Sequence, residues 1–217
     1  MNKAAIFREL ERAVKNFDEK AAEKYSRMAI EAGIDPVETL EEGLAKPLRE
    51  VGERFGRGEA FITELIAGAQ AMEAGAEVLN EEIKRHGKKR KSVGEVLIGT
   101  VEGDIHSIGK NIVATMLRAN GFEVYDLGVD VSTEDFVEAV RRHKPDILGL
   151  SALMTTTMDK QRKVIDALRK AGLRDDVKVI LGGAPVTREW VEEIDADACG
   201  LDASSAVVNA LKLIKEE

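Results

Sequence analysis

A change in hydrophobic pattern at residues 85–92 divides this chain into two parts that must fold differently. Before this basic segment, apolar residues recur at helical spacing, whereas after it short apolar runs alternate with helical stretches. This change predicts an all-α domain followed by an α/β domain. We expect the boundary between residues 88 and 89, which gives domains 1–88 and 89–217. The charges of the segment fit either a solvated linker or a docking patch for an acidic partner.

Four amphipathic helices with short connections are predicted in the first part, and this pattern is typical of an antiparallel four-helix bundle. Asp35 and Pro36 form a start signal for the third helix, as cap and first helical residue. Pro47 lies inside the same apolar stripe and is expected to kink or break it. Thr63 is expected to cap the fourth helix. The four stripes begin at Ile6, Tyr25, Val37 and Leu65.

The second part predicts a five-stranded parallel sheet covered by helices on both faces. We expect the flavodoxin-like strand order 2-1-3-4-5. In that order the carboxyl ends of strands one, three and four meet at one edge, where the strand order reverses and ligands bind. The apolar runs that predict the strands are 93–101, 122–127, 146–150, 177–181 and 196–199.

Three loops with chemically suggestive residues, 104–109, 151–153 and 182–183, are predicted at this edge. His106 could bind a transition metal through one ring nitrogen while Asp104 holds the other. A single histidine is too few for a zinc site, so a lone ligand fits best where a macrocycle fills the other positions. Each loop taken alone is more typical of a surface pair, a satisfied serine or a turn, but together they favour a ligand site.

The spacing of the loops resembles the cobalamin-binding domain of methionine synthase and of methanogenic and acetogenic corrinoid proteins. That family's pattern is D-x-H-x-x-G, S-x-L and G-G, and here the gaps between the three motifs are 41 and 28 residues, as in the family. The resemblance implies that His106 is the lower axial cobalt ligand, replacing the cofactor's dimethylbenzimidazole. It also implies that Asp104 and Thr157 form a hydrogen-bonded relay to that ligand.

The cofactor implied by the resemblance is cobalamin or a related corrinoid, methylcobalamin included, bound base-off and His-on. Its displaced nucleotide tail would occupy a slot lined by the second and third loops. The remaining cofactor-binding positions in the second domain are Ser107, Ile108, Gly109, Ser151, Leu153, Thr155, Gly182 and Gly183.

Residues 55–62 resemble the part of the family's helical cap that shields the upper, methyl-bearing face of the corrin. Phe55 and Ile62 match the two shielding apolar residues. The alternative is that both side chains belong to the ordinary core of the bundle. Apolar shielding has a physical purpose, because reactive forms of the cofactor must be kept from water and oxidants.

The function implied by the resemblance is that of a methyl carrier, which is not catalytic alone. A substrate-specific methyltransferase, with methylamines favoured, would methylate Co(I). A second methyltransferase would pass the methyl group from methyl-Co(III) to coenzyme M or tetrahydrofolate, and a reductive activase would rescue oxidised carrier. The alternatives are the corrinoid subunit of an O-demethylase system, a cobalamin-dependent mutase subunit and a cobalamin sensor.

Composition narrows the remaining possibilities. The net charge of −8, from 32 basic and 40 acidic residues, argues against a nucleic-acid partner. We expect no signal peptide and no membrane span, which together with the single cysteine favours the cytoplasm. Cys199 and Trp190 receive no role from the sequence.

Overall fold

The computed structural model describes residues 1–85 and 92–215. The chain forms two compact units, Met1–Lys91 and Ser92–Glu217. The predicted boundary between residues 88 and 89 lies outside the described residues, as does most of the basic segment. Each unit has its own set of buried apolar side chains.

The first unit is helical, as predicted. Asp35 caps the third predicted helix, accepting the backbone N–H groups of Val37 at 2.8 Å and Glu38 at 3.1 Å. Its helices are α1 (Lys3–Lys15), α2 (Glu19–Glu31), α3 (Pro36–Glu38), α4 (Lys46–Gly56) and α5 (Ile62–Arg85), with a π-helical segment, Thr39–Ala45, between α3 and α4.

The break expected at Pro47 takes the form of this π-helical segment, which ends just before the proline. The N–H of Lys46 donates to the carbonyl of Glu41, five residues earlier. Such a bulge changes the hydrogen-bond register before Pro47, whose nitrogen carries no hydrogen to donate. The helix therefore continues through the proline and does not stop there.

The predicted cap of the last helix is wrong. Thr63 lies inside α5, which already begins at Ile62. The start of the helix is instead stabilised by the Glu64 carboxylate, which accepts the backbone N–H of Phe61 at 2.7 Å. A carboxylate near a helix N-terminus is also favoured by the helix dipole.

The second unit is a parallel sheet in the predicted order, β2-β1-β3-β4-β5. Thr100 pairs with Ser151, and Ser151 pairs with Gly182, so β1, β3 and β4 end at the same level. The strands are β1 (Glu95–Thr100), β2 (Glu123–Asp126), β3 (Ile147–Ser151), β4 (Lys178–Gly182) and β5 (Ala198–Gly200).

Within residues 92–215, five helices and a short 3-10 turn connect and cover these strands. The three interior strands are buried on both faces, as the continuous apolar runs of a covered parallel sheet require. The helices are α6 (Ile108–Ala119), α7 (Thr133–His143), α8 (Thr155–Lys170), α9 (Arg188–Ile194) and α10 (Ala203–Lys215), and the 3-10 turn is Arg174–Asp176.

The helical pattern of the sequence predicts a helix that starts at residue 158, but α8 begins three residues earlier, at Thr155. Successive threonines at 155–157 are poor helix formers, which made the sequence pattern begin late. In the structure the Thr157 hydroxyl lies 2.9 Å from the carbonyl of Met154 and 2.8 Å from the Asp104 carboxylate. A contact across the fold therefore stabilises this first turn and places Thr157 beside the first loop.

Candidate functional site

Asp104 and His106 form a hydrogen-bonded pair in the loop between β1 and α6. The Asp104 side chain is fully buried, whereas that of His106 is 48% exposed. Nδ1 of His106 lies 2.7 Å from Oδ1 of Asp104, and the same oxygen accepts the backbone N–H of His106 at 3.0 Å. A carboxylate only accepts, so Nδ1 carries the proton. Nε2, which no protein atom bonds among residues 1–85 and 92–215, is left with a free lone pair.

The second oxygen of Asp104 joins this loop to the one after β3. Oδ2 accepts the backbone N–H of Leu153 and the hydroxyl of Thr157, both at 2.8 Å. Burial raises the pKa of Asp104, but the hydrogen bonds from His106, Thr157 and Leu153 outweigh it and lower the pKa to about 2. Asp104 is therefore a carboxylate at neutral pH, and it holds both loops at once.

Two further residues, Asp130 after β2 and Thr100 at the end of β1, bond the loop of His106, and the sequence did not predict either contact. Asp130 accepts the N–H of Gly103 at 2.7 Å, and its own N–H donates to the carbonyl of Asp104 at 2.9 Å. The hydroxyl of Thr100 donates to the carbonyl of His106 at 3.0 Å. These partners are up to 27 residues apart, so no local pattern marks them. Together they fix the backbone on both sides of Asp104.

Apolar side chains flank His106 at the open edge of the sheet. Ile105 is 74% exposed and Ile108 65% exposed, and Leu153 of the neighbouring loop is 43% exposed. Ser107 is half-buried, and Gly109 is exposed with open space around it. An apolar rim around one imidazole suits a large, flat ligand that presents a metal to the ring.

The predicted tail slot lies where β3 and β4 end. The N–H of Ala152 donates to the carbonyl of Gly182 at 3.0 Å. Gly183 has φ +126°, and a Cβ atom there would lie 1.8 Å from the carbonyl oxygen of Ala152. A Cβ at Gly182 would meet only the Gly200 carbonyl, at 4.0 Å. Both positions therefore offer bare backbone, and only Gly183 strictly requires it.

Two hydroxyl groups border this bare backbone. Ser151 ends β3 and is half-buried, and Thr155 opens α8 and is exposed. In the part of the chain that the structure describes, the Ser151 hydroxyl makes no hydrogen bond and can accept or donate one to a ligand. A strand end that combines a free hydroxyl with half-buried backbone that carries no side chain fits a polar, bulky tail.

The two predicted shielding residues lie in the first unit, on either side of the turn between α4 and α5. Phe55 is half-buried in the last turn of α4. Ile62 begins α5 and is 40% exposed, so it is not an ordinary core residue of the bundle. Phe61 beside it is 78% exposed. The turn therefore presents apolar surface.

Within residues 1–85 and 92–215, no group of three or more His, Cys, Asp and Glu side chains is placed to hold a metal ion. No helix of these residues is both long and apolar enough to cross a bilayer. A single imidazole whose Nε2 has no protein partner among these residues fits a metal whose other coordination positions are filled by a macrocycle.

Comparison with known proteins agrees with this geometry. A B12 binding domain family model matches residues 94–211, and a second B12 binding domain model matches residues 6–80. The chain is 48% identical to the trimethylamine corrinoid protein of Methanosarcina barkeri over 206 residues, 95% of each protein. It is 47% identical over 181 residues to dimethylamine corrinoid protein 1 of Methanosarcina acetivorans, covering 83% of this chain and 84% of that protein.

A solved structure extends the comparison to the whole fold. A chain of the methanol:cobalamin methyltransferase complex from Methanosarcina barkeri matches with a TM-score of 0.89 and 33% identity, over 100% of this chain and 82% of that one. The predicted combination of a helical domain and a five-stranded parallel sheet is thereby confirmed. The chain belongs to the B12-binding domain family of corrinoid proteins, and its cofactor is cobalamin or a related corrinoid.

Proposed function

We propose that this protein is the methyl carrier of a methylamine methyltransferase system and is not an enzyme by itself. Its similarity to tri- and dimethylamine corrinoid proteins along most of its length supports this role. The observation that carries the proposal is the orientation of His106, whose Nδ1 is bound to Asp104 and whose Nε2 has no protein partner among the described residues.

The residues of the first loop would hold the lower face of the cofactor. When bound, the corrinoid supplies a cobalt centre that can take up a methyl group and release it to an acceptor. His106 would bind the metal through Nε2, in the base-off, His-on manner. Asp104 keeps the proton on Nδ1 and fixes the plane of the ring, and Thr157 and the Leu153 amide keep Asp104 in place.

The strand ends would bind the displaced nucleotide tail. The hydroxyls of Ser151 and Thr155 offer polar contacts, while Gly182 and Gly183 let the tail approach the backbone. The exposed apolar side chain of Leu153 and the first turn of α6, with Ser107, Ile108 and Gly109, would contact the ring.

Residues 1–88 would act as the cap domain and residues 89–217 as the cobalamin-binding domain. In this scheme Phe55 and Ile62 exclude water from the upper face of the ring. A cap must also move aside when a partner enzyme takes or delivers the methyl group. Residues 85–92 link the two domains in sequence.

The proposal requires three kinds of partner. One is a substrate-specific methyltransferase, and the similarity to a chain of a methyltransferase complex supports such a partner. The second is a methyltransferase that acts on coenzyme M or tetrahydrofolate. The third is an activase that returns oxidised carrier to its reduced form.

Transfer of a radiolabelled methyl group tests the choice of donor. The reduced, cobalamin-loaded protein is mixed anaerobically with a trimethylamine-, dimethylamine-, methanol- or methoxyarene-specific methyltransferase and its labelled substrate, and then gel-filtered. We expect label on the protein with the amine enzymes, and none with His106→Ala reconstituted and treated in the same way. Label with the methoxyarene enzyme and none with either amine enzyme would assign the protein to an O-demethylase system.

A further inference from the structure

A buried amide joins the two strand ends that border the tail slot. Gln161 lies on α8 and is fully buried. Its Nε2 donates to the carbonyl of Leu150 at 2.9 Å and to that of Gly182 at 3.2 Å. These two residues come directly before Ser151 and Gly183. One side chain therefore holds β3 and β4 together at the point where their loops depart.

Trp190 fixes the orientation of this amide. The indole Nε1–H of Trp190 donates to Oε1 of Gln161 at 3.0 Å. Since an indole nitrogen can only donate, Oε1 must face Trp190, and both hydrogens of Nε2 are then directed at the two carbonyls. The amide oxygen and both amide hydrogens of the buried Gln161 side chain therefore have hydrogen-bond partners.

The pair also connects the slot to the helix that follows it. Trp190 lies in α9, which begins just after the loop that starts at Gly183. The guanidinium of Arg162, the next residue on α8, lies 4.7 Å from the centre of the indole ring and pairs with Glu193 of α9. Gln161 and Trp190 thus connect helix α8 with the ends of β3 and β4 and with helix α9. The ion pair between Arg162 and Glu193 adds a second connection between α8 and α9.

Strand pairing alone does not explain why an amide is buried here. The carbonyl of Gly182 already accepts the N–H of Ala152 at 3.0 Å, so the strand pairing is complete without Gln161. A leucine of similar volume would fill the space, but it would remove a hydrogen-bond partner of the Trp190 indole N–H and of the Leu150 carbonyl. The two hydrogen bonds from Gln161 also set the distance between the ends of β3 and β4, where the two loops of the slot begin.

We propose that Gln161 and Trp190 are positioning residues for the nucleotide tail of the corrinoid. They set the spacing between the loop after β3 and the loop after β4, and they do so without touching the cofactor. This inference rests on the proposed function, because it takes the tail slot from there. It gives Trp190, which the sequence left without a role, a part in selecting corrinoids that carry a tail.

The test compares two corrinoids that differ only in the tail. Dissociation constants for cobalamin and for cobinamide, which lacks the nucleotide, are measured by equilibrium dialysis with the full chain. In Gln161→Met we expect the preference for cobalamin to fall about tenfold, because buried carbonyls lose their donor and the loops can spread. Trp190→Phe, which keeps an aromatic ring but removes the donor, should shift the preference in the same direction by less.

The control is Gln70→Met, the same replacement at an exposed position of α5, and it should leave both constants unchanged. Equal weakening of both corrinoids in the two variants would mean a general loss of structure and would overturn the inference, as would an unchanged preference. If Gln161→Met does not fold, the preference of Trp190→Phe for cobalamin over cobinamide tests the inference in the same way. A wild-type protein without any preference for cobalamin would instead refute the tail slot of the proposed function.

Discussion

At the scale of single residues, the geometry of the site depends on the hydrogen bonds that one carboxylate, that of Asp104, accepts. Asp104 accepts hydrogen bonds from the backbone and ring of His106, from the Leu153 amide and from the Thr157 hydroxyl. The pairing with His106 could be predicted because the two residues are close in sequence. The amide of Leu153 could not, because a backbone N–H 49 residues away has no sequence signature.

Replacing Asp104 by Asn should destabilise the cofactor-free protein. The Asn amide has only one accepting oxygen, so its NH₂ group must face donors such as the N–H of Leu153. Leaving such a group unsatisfied lowers the free energy of unfolding by about 2 kcal/mol. Urea denaturation at pH 7 measures the change. Asp130→Asn is the matched control, because the exposed Asp130 side chain needs one acceptor only, for Gly103, and Asn tolerates its φ of +53°.

The pH dependence of that difference provides a second check. The folded-state pKa of Asp104, about 2, lies below the value of roughly 3.9 for an unfolded aspartate. The stabilisation it gives is therefore present above about pH 4 and is lost as the pH falls through 2. The gap between wild type and Asp104→Asn should narrow across this range. A gap that stays constant would contradict this account of the carboxylate.

At the scale of helices and strands, the sequence predicts what depends on local periodicity. The five strands and the helices that alternate with them follow from the apolar pattern. Gly121 and Gly172, whose φ angles are positive, lie just after the ends of α6 and α8. The sequence does not predict an element's bounds where a contact with a distant residue or an unusual hydrogen-bond register determines them. Helix α8 starts early, at Thr155, because Thr157 in its first turn bonds Asp104. The π-helical segment before Pro47 has no sequence pattern of its own.

The end of β4 allows a sharp test at this scale. Gly183→Ala should lower the free energy of unfolding by about 3 kcal/mol, because the new methyl group would overlap the Ala152 carbonyl and the backbone has a positive φ. Gly182→Ala should cost little, since its Cβ has open space. Thermal or urea denaturation of the two cofactor-free variants compares them. Equal stability of the two would show that the close approach of the strand ends is not maintained in solution.

At the scale of the whole molecule, the pattern change in the sequence predicts two domains because helical and strand periodicities are local properties. The proposed cooperation between them is not local. The ligand loops belong to one unit, and Phe55 and Ile62 belong to the other. The proposal that the two units bind opposite faces of one cofactor rests on the family resemblance, since no periodicity encodes contacts between separate domains.

Shielding can be tested by shortening both cap side chains in the full-length protein. In Phe55→Ala/Ile62→Ala we expect cobalamin to bind as in wild type, because the ligand loops are untouched. The reduced cofactor should be oxidised several-fold faster, since an apolar cover that excludes oxidants is lost. Absorbance after a pulse of oxygen follows the rate. Val208→Ala, at a 49% exposed position of α10, is the control for loss of surface apolar area. An unchanged oxidation rate in the double variant would remove these residues from the cap.

The central claim is that His106 binds the metal through Nε2, and electron paramagnetic resonance tests it most directly. The protein is labelled with nitrogen-15 histidine, loaded with cobalamin, gel-filtered and examined anaerobically in the Co(II) state. The chain has three histidines, so the same spectrum is recorded for His106→Ala. The account predicts a splitting from labelled nitrogen in wild type that is lost in the variant. A splitting from the cofactor's own unlabelled benzimidazole in wild type would contradict it.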